Sequence, residues 1–395
     1  MKTLIQAAVA TLIASSVELS PRRLCRSAPF GLACIALAGF LPAASSCLAA
    51  DRFVPAQYPT IQAAVAACQS GDRVLVAPGT YAGPVQLGGG GVQLVSEQGP
   101  ELTVITGRPL PSPGPAIFIS SGLVEGFRLT GGTTSIVPGS SCGSTFGFRS
   151  GGGVFATGGT IRNCHVIGNN GDGNPSNDAV GHGMTIVGNV AVQDCIIEQN
   201  GGSGCCPSAF GRAVASGVFV HGIATLERCL IRGNFGTRAA GIKVGHCDLT
   251  GGTAVLRDCV VYGNSAESCA QAENYFGALV LENSHVYGQV CGAVALVGNG
   301  AVMATMQDCN SNSLPDAWEC ISGMQADLND NQVPDSCECI GDLFPNGTIN
   351  GADLGILLSE WGPALPTTVS DLNRDGAVDG SDLGYLLSQW GPCTN

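Results

Sequence analysis

Oxygen-bearing side chains recur at a fixed spacing in residues 371–382, near the C-terminus. Carboxylates or amides occupy positions 1, 3, 5, 9 and 12 of this segment, glycine occupies position 6, and position 7 offers a backbone carbonyl. The candidate ligands are Asp371, Asn373, Asp375, Ala377, Asp379 and Asp382. Hard oxygen donors at these intervals can wrap around one Ca²⁺. The segment therefore predicts a calcium-binding loop, and we expect a helix to follow it from Leu383 to Trp390.

A less complete copy of this pattern lies in residues 342–353. Its candidate ligands are Asp342, Asn346, Thr348, Asn350 and Asp353. Phe344 stands at position 3 and cannot ligate a metal, so weak binding and no binding both stay open here. Residues 351–363 and 380–392, which overlap the ends of the two loops, are identical at 10 of 13 positions. This identity indicates a duplicated loop–helix unit.

Two further loops with the same ligand spacing lie upstream. The candidate ligands of the first are Asp308, Asn310, Asn312, Asp316 and Glu319, and those of the second are Asp327, Asn329, Asn331, Asp335 and Glu338. Both loops lack glycine at position 6, and both use Asn at positions 3 and 5, which favours weak, extracellular-range affinity. Residues 308–395 carry 14 acidic side chains against Arg374 alone, a balance that suits a cation-binding module. Cysteines that could staple this region are Cys309, Cys320, Cys337, Cys339 and Cys393, but sequence does not reveal their pairing.

The body of the chain offers weaker candidates, for catalysis. Glu198 and Arg232 fall in one predicted row with Tyr262 and Tyr287, where charged and aromatic groups could seat a sugar chain. A second cluster contains Lys243, His246 and Asp248. None of these residues matches a catalytic motif, and the plainer interpretation is a set of solvated surface ladders. The histidines predicted to lie at the surface or at corners are His165, His182, His221 and His285.

These candidates belong to a repeat of 25 to 34 residues. Its anchors are Cys164, Cys195, Cys229, Cys259 and Ser284. An aliphatic residue stands three positions before each anchor, a β-branched residue two positions after it, and Asn or Gln five positions after it. Alternation around the anchor predicts a short strand, and the Gly-Asn pair that usually follows predicts a sharp corner. Two or three short strands per repeat of this length predict a parallel β-solenoid.

Stacking of the coils at about 4.8 Å predicts specific ladders. The anchors should stack inside, Glu227, Arg257 and Glu282 should alternate in charge outside, and one row should exchange amide hydrogen bonds. The members of that amide row are Asn169, Asn200, Asn234, Asn264 and Gln289. A second apolar segment of each repeat is expected at residues 153–156, 183–187, 217–220, 241–244 and 277–280, with partial repeats at 124–129 and 304–309.

Composition restricts the classes of function. Charged residues make up 12% and hydrophobic residues 45% of the 395 residues, which excludes a disordered chain. A formal charge of −13 argues against a nucleic-acid partner, because phosphate contacts need Lys and Arg. Residues 1–50 carry three arginines, an apolar run and small residues before Asp51, which predicts a signal peptide, with an uncleaved anchor as the alternative. No later stretch is long and apolar enough to span a membrane, and export makes disulfides possible.

An N-terminal cap is expected ahead of the coils. Residues 60–68 predict an amphipathic helix capped by Thr60, followed by a strand at 73–77 and a turn at 78–81. The entry motif reads PTIQAA at residues 59–64 and GDRVLVAPGTY at 71–81. It resembles the entry of the pectin-lyase-like superfamily over roughly residues 51–307, which implies an all-β right-handed parallel β-helix. Enzymes of that superfamily act on acidic polysaccharides, but the fold does not determine the reaction.

The tail also resembles known modules. The loop–helix unit without a leading helix, present twice in residues 340–395, is similar to a type I dockerin, and the loops of residues 308–339 are similar to thrombospondin type 3 calcium repeats. The dockerin resemblance implies a cohesin partner. Dockerins often carry a polar pair at loop positions 10 and 11, where this chain has Gly351-Ala352 and Gly380-Ser381. The calcium chemistry therefore carries over more directly than the partner.

The sequence thus predicts a signal peptide (1–50), a right-handed parallel β-helix (51–307), calcium repeats (308–339) and a small α-helical, dockerin-like EF-hand module (340–395). We expect a secreted or cell-surface protein that uses Ca²⁺ and binds extracellular carbohydrate. Two alternatives stay open: a polysaccharide lyase or other carbohydrate-active enzyme that acts on uronate polymers, and a structural surface protein.

Overall fold

The structure of the protein is a computed structural model that describes residues 49–108, 114–136, 149–170, 179–201, 216–236, 238–245, 251–365 and 368–393. The predicted signal peptide lies almost wholly outside these ranges, and so do the catalytic candidates His246 and Asp248. Within these ranges, no helix has the length and apolar character needed to cross a membrane.

Two large parallel sheets form the body of the described chain. The first contains strands Asp51–Val54, Arg73–Val76, Val85–Leu87, Gln93–Ser96, Ile117–Ile119, Leu123–Glu125, Val154–Arg162, Met184–Gln193, Val218–Val220, Ile223–Glu227, Ile242–Val244, Thr253–Arg257, Ala272–Asn274, Ala278–Glu282, Val290–Cys291 and Val294–Val297. The second contains strands Gly79–Ala82, Thr103–Thr106, Arg128–Thr130, His165–Ile167, Ile196–Glu198, Leu230–Arg232, Val260–Tyr262, His285–Tyr287 and Ala301–Met303. We call these sheet 1 and sheet 2. In the central coils the chain passes through two strand segments of sheet 1 and then one strand of sheet 2.

The remaining elements are short. One small sheet contains Ser135–Ile136, Arg149–Ser150 and Ala179–Val180, and two antiparallel pairs join Thr348–Ile349 to Gly391–Pro392 and Gly362–Pro363 to Ala377–Val378. The helices of the described residues are α1 (Ile61–Ala66), α2 (Asp316–Ile321), α3 (Gly351–Ser359) and α4 (Gly380–Ser388), with a 3₁₀ turn at Asp335–Cys337. Helix α1 begins as predicted, because Thr60 Oγ1 accepts a hydrogen bond of 3.1 Å from the Ala63 amide.

The coils stack in the predicted register. The aliphatic residues three positions before the anchors pair from coil to coil and are all fully buried; in order they are Ile161, Val192, Leu226, Leu256 and Leu281. The anchors are buried as well, and the Cys259 amide donates to Ser284 Oγ at 2.9 Å. An all-β parallel β-helix with few helices, the fold class predicted from the sequence, is confirmed.

The asparagine row forms the predicted hydrogen-bonded ladder. Asn169, Asn200 and Asn234 each donate an amide hydrogen bond of 2.9–3.0 Å to the side chain of the next member. The ladder ends differently from the prediction, because Asn264 donates to Gln271 Oε1 at 2.8 Å. Gln271 lies seven residues after Asn264, directly before the sheet 1 strand Ala272–Asn274, and its side chain takes the place in the row that was predicted for Gln289.

A second corner occurs that the sequence pattern does not predict. The residue directly before each anchor has a left-handed backbone, with φ between 48° and 52°. These residues are Asn163, Asp194, Arg228, Asp258 and Asn283. Arg228 is bulky for this region, where non-glycine residues other than Asn and Asp are uncommon. Its guanidinium group is held by two hydrogen bonds to Asp194 at 2.6 and 3.1 Å.

Four expectations about the coil elements are wrong. Residues 78–81 are not only a turn, because Gly79–Ala82 is the first strand of sheet 2. Segment 277–280 does not belong to the second apolar row, because its Ala278 pairs with Thr253 of a different strand. The residue that pairs with Ile242 on the next coil is Ala272. Residues 304–309 form no coil, because the last coil has already closed with Ala301–Met303, which pairs with His285–Tyr287. Two of the predicted short strands are longer than expected, because flanking segments merge into the nine-residue strand Val154–Arg162 and the ten-residue strand Met184–Gln193.

Two histidines predicted at the surface or at corners are buried. His182 is only 2% exposed, and its two ring nitrogens have no hydrogen-bond partner within the described chain. His285 is 9% exposed, beside the tail. Burial disfavours the charged imidazolium and lowers the pKa of His182 to about 4.

We expect the free energy of unfolding to fall as the pH drops from 6.5 to about 4, because only the unfolded state protonates His182 in that window. The loss attributable to this residue by pH 4.5 is about 2–3 kcal/mol. Urea unfolding at pH 7.5 and 4.5, compared between the natural chain and His182→Phe, isolates the effect. The same stability difference between the two chains at both pH values would contradict it.

Candidate functional site

The two upstream loops bring their candidate ligands together in matching ways. In the first, the side-chain amides of Asn310 and Asn312 donate to the Glu319 carboxylate at 2.8–3.1 Å. In the second, Asn329 and Asn331 donate to Glu338 at 2.9 and 2.6 Å. Positions 3, 5 and 12 of each loop therefore converge on one point, as the ligand spacing predicts.

The backbone of these loops follows the same pattern. Asp308 and Asp327, at position 1, each accept hydrogen bonds from the amides of positions 5 and 6. Position 6, where the sequence lacks glycine, is left-handed nonetheless, with φ of 70° at Ser313 and 67° at Gln332. The Asp316 and Asp335 carboxylates accept from the amides of position 2. The missing glycine thus does not prevent the sharp turn.

The two downstream loops are fastened to the starts of α3 and α4. Asn350 and Asp379 cap these helices through their own side chains, and Asp353 and Asp382, which are fully buried, accept from the backbone of the cap residues. Helix α4 therefore starts at Gly380, three residues before the predicted start. The candidates Asn346 and Thr348 lie in the first of these loops, and Asn373, Asp375 and Ala377 in the second; Asp375 accepts from Asn373 and Ala377.

The chemistry of these loops fits a bound cation. Asp371 is 8% exposed, and its Oδ1 atom is buried without a hydrogen-bond partner in the described structure. No ion pair between a loop carboxylate and a lysine or arginine occurs in the described ranges of the chain. Clustered carboxylates without a counter-charge are costly to bury. A Ca²⁺ ion held by these oxygens would supply the missing positive charge.

The cysteines of the tail pair as staples. Disulfides join Cys309 to Cys337 and Cys339 to Cys393, and Cys320 is a free thiol. The first disulfide ties the two upstream loops together, and the second ties the start of the downstream pair to its end. Both pairs lie beside an acidic side chain, but disulfide sulfurs are not thiolates and do not provide a soft-metal site.

The predicted row containing Glu198 and Arg232 is a closed network. Glu198 accepts from Arg232 Nε at 2.7 Å and lies 2.9 Å from His165 Nε2, and Arg232 also donates to the Tyr262 hydroxyl at 3.1 Å. Burial alone would raise the pKa of Glu198, but Arg232 and His165 outweigh it and the net shift is downward. Tyr287, the last member, is 5% exposed. The row therefore has few free donors or acceptors for a substrate.

The Lys243 candidate is buried and paired. It is 2% exposed and donates to Glu273 Oε2 at 2.7 Å, while Arg238 lies 2.5 Å from the other oxygen of Glu273. Desolvation lowers the pKa of Lys243, and Glu273 opposes that shift. The prediction of a solvated surface ladder is wrong for Lys243, because this stretch of sheet 1 is covered.

An uncharged pocket of about 660 Å³ lies on the outer face of sheet 1 beside α1. Phe118 and Phe155 occupy equivalent positions on neighbouring coils, and their ring centroids are 5.8 Å apart with planes tilted by 60°. Polar walls come from Gln62, Gln86, Ser120 and Thr157. Gln62 Oε1 accepts a hydrogen bond of 2.7 Å from the backbone amide of Gln86, and this bond fixes helix α1 beside the pocket.

Sequence reasoning missed this pocket. Its signal is the aromatic residue at the second position of Ile117–Ile119 and of Val154–Arg162, the strand pair that aligns Phe118 with Phe155. The cysteine anchors that define the repeat lie inside the coils, so the repeat pattern carries no information about the outward positions of the preceding strand segment.

Comparisons with known proteins give remote similarities. No protein-family model matches the chain, and no curated protein matches it. A solved pectate lyase is 14% identical with a TM-score of 0.36, covering 64% of this chain and 76% of its own. A rice weevil pectin methyl esterase is 13% identical with a TM-score of 0.33, covering 75% and 89%. An alginate lyase from a Paenibacillus species is 13% identical with a TM-score of 0.32, covering 62% and 91%. TM-scores below 0.5 carry no argument about what this chain binds.

Proposed function

We propose that the chain is an exported β-helix protein that binds an extracellular carbohydrate in the Phe118–Phe155 pocket and carries a calcium-stabilised tail. The observation that carries this proposal is the pair of aromatic rings on adjacent coils inside a pocket walled by amide and hydroxyl groups. Such a mixture of flat apolar surface and a few oriented polar groups is typical of a small-molecule site.

The lining selects among carbohydrates. Sugar rings present C–H faces that pack on aromatic rings and hydroxyl groups that hydrogen-bond to amides. None of the described residues that line the pocket has a charged side chain. A uronate carboxylate would lose hydration there without gaining a counter-charge, so an uncharged glycan fits better than an acidic one.

Binding is favoured over catalysis because the charged rows are engaged in contacts of their own. Glu198, Arg232 and Lys243 are each held by neighbouring side chains, so none of these three candidates is free to act as a base or an acid on a bound sugar. A polysaccharide lyase remains the alternative, and incubation with uronate polymers and Ca²⁺ separates the two. Rising absorbance from unsaturated ends would establish the enzyme; binding without turnover supports the module.

The tail completes the proposal. Its four loops would hold Ca²⁺, as their geometry favours, and the duplicated unit would act as a dockerin-like module on the outside of the cell. Gly351, Ala352, Gly380 and Ser381 are exposed at the starts of α3 and α4. Only Ser381 offers a polar side chain, so any cohesin-like partner would contact these sites mainly through backbone and small apolar groups.

Replacing both Phe118 and Phe155 by alanine is expected to weaken binding of neutral oligosaccharides by at least tenfold, because both stacking surfaces are lost. Glycan arrays identify the ligand, and calorimetry with the natural chain and the double variant measures the change. Phe276→Ala, at a 49% exposed aromatic residue outside the pocket, is the matched control. Equal affinity in the double variant would place the site elsewhere, and absence of any glycan binding would favour the structural surface protein.

A further inference from the structure

Helix α2, between the first two calcium loops, packs against the outer face of sheet 2. Trp318 is 8% exposed and Ala317 is 1% exposed, and both share one apolar cluster with Leu230, Val260 and Tyr287. These three residues lie on consecutive coils of the β-helix. The tail therefore covers an apolar strip that runs across three coils, next to the Arg232–Tyr262 pair.

The second loop holds the same coils through polar contacts. Gln332, at position 6, donates to the Asn283 carbonyl at 2.9 Å, and its Oε1 atom contacts His285 Nε2. Gln332 is 8% exposed, so these contacts are shielded from water. The Cys309–Cys337 disulfide joins the first loop to the second, which makes the two contacts parts of one segment, residues 308–338.

Candidate metal ligands and docking residues share the same few residues of chain. Trp318 lies between Asp316 and Glu319, positions 9 and 12 of the first loop, on helix α2. Glu319 is 2% exposed and receives the amides of Asn310 and Asn312. Movement of Glu319 away from the loop would turn the helix and shift Trp318 with it. Gln332 is connected to the second loop in a similar way, because its backbone amide donates to the carboxylate of Asp327 at position 1. Movement of Asp327 would therefore shift Gln332 as well.

We propose that Ca²⁺ binding to these two loops clamps residues 308–338 onto the side of the β-helix, so that metal occupancy and docking of Trp318 are one coupled event. Clustered carboxylates repel one another without the ion, which favours opening of the loops. Opening withdraws Trp318 and Gln332 and uncovers the strip of Leu230, Val260 and Tyr287. This inference rests on the calcium binding proposed for the tail, but not on the proposed carbohydrate site, which lies on sheet 1.

The coupling is measured in the full chain with Trp361→Phe and Trp390→Phe, which leaves Trp318 as the only tryptophan. We expect Ca²⁺ to shift its emission to shorter wavelength, as the indole becomes buried, and a chelator to reverse the shift. Because linkage is reciprocal, weakening the docking surface must also weaken calcium binding. Leu230→Ala with Val260→Ala should raise the Ca²⁺ midpoint of the emission change about tenfold.

The control is Leu296→Ala, at a 54% exposed leucine of the last coil, which lies outside the apolar cluster. It should leave the midpoint unchanged. Circular dichroism of each variant confirms that the coils remain folded, and Val260→Ala alone serves if the double variant does not fold. Emission from Trp318 that is the same with Ca²⁺ and with chelator, or a midpoint that the docking variants do not move, overturns the proposal.

Discussion

Replacing Asn234 with alanine is expected to lower the free energy of unfolding by about 4 kcal/mol, because several buried polar groups lose their partners at once. Asn234 Oδ1 accepts from both the backbone and the side-chain amide of Asn200, and its own amide donates to the Ile197 carbonyl and to Asn264 Oδ1. Water cannot take over these roles readily, since Asn234 is 0% exposed. The loss includes a small cavity inside the coil.

Urea unfolding of the natural chain and Asn234→Ala measures this effect. The matched control is Gln199→Gly, one residue before the ladder, where φ is 52° and the next coil has Gly233. Removing the side chain relieves left-handed strain but adds freedom to the unfolded chain, so the net change should stay below about 1 kcal/mol. An alanine variant as stable as this control would show that the ladder contributes little.

Removal of calcium is expected to lower the melting temperature of the tail substantially. Each occupied loop adds about 2.7 kcal/mol to the free energy of unfolding when free Ca²⁺ is one hundred times its dissociation constant. Two occupied loops would together add about 5 kcal/mol. The buried, unpartnered Oδ1 atom of Asp371 is the observation that makes this loop the strongest candidate. Calorimetry of the full chain in Ca²⁺ and in chelator measures the shift.

Asp371→Ala separates metal binding from ordinary packing. In Ca²⁺ the variant should melt below the natural chain, and in chelator the difference should shrink, because the carboxylate then repels its acidic neighbours instead of binding the ion. Glu360→Gln, at an exposed acid outside the four loops, should change neither melt. A melt of the natural chain that does not respond to chelator would rule out structural calcium.

The sequence predicts some features of the coils and not others. The cysteine and asparagine rows could be predicted because each coil must place equivalent residues at one height, so spacing along the chain maps directly onto stacking. The end of the amide ladder at Gln271 could not be predicted from the sequence. It depends on whether the local backbone turns the side chain of Gln271 or that of Gln289 inward. The fifth apolar segment was misplaced for a related reason: loops of unequal length separate it from its anchor.

The candidate sites divide in the same way. The calcium loops are local, with all ligands inside 12 residues, so their convergence follows from spacing alone. The burial and pairing of Glu198 and Lys243, by contrast, do not follow from local sequence. Each meets its partner on the next coil, and burial by other parts of the chain turns a surface ladder into a closed ion pair. The Phe118–Phe155 pocket likewise needs two coils and helix α1 to exist.

The amino-acid order by itself determined that this protein is a stack of parallel coils followed by acidic loops with the ligand spacing of a calcium site, because both features are periodic and each period is contained in a short stretch of chain. Only the tertiary structure decided which outward residues meet solvent and where the tail lies. Those outcomes depend on contacts between residues far apart in sequence, such as Trp318 with the strip on sheet 2, and no local pattern encodes which surface will be covered.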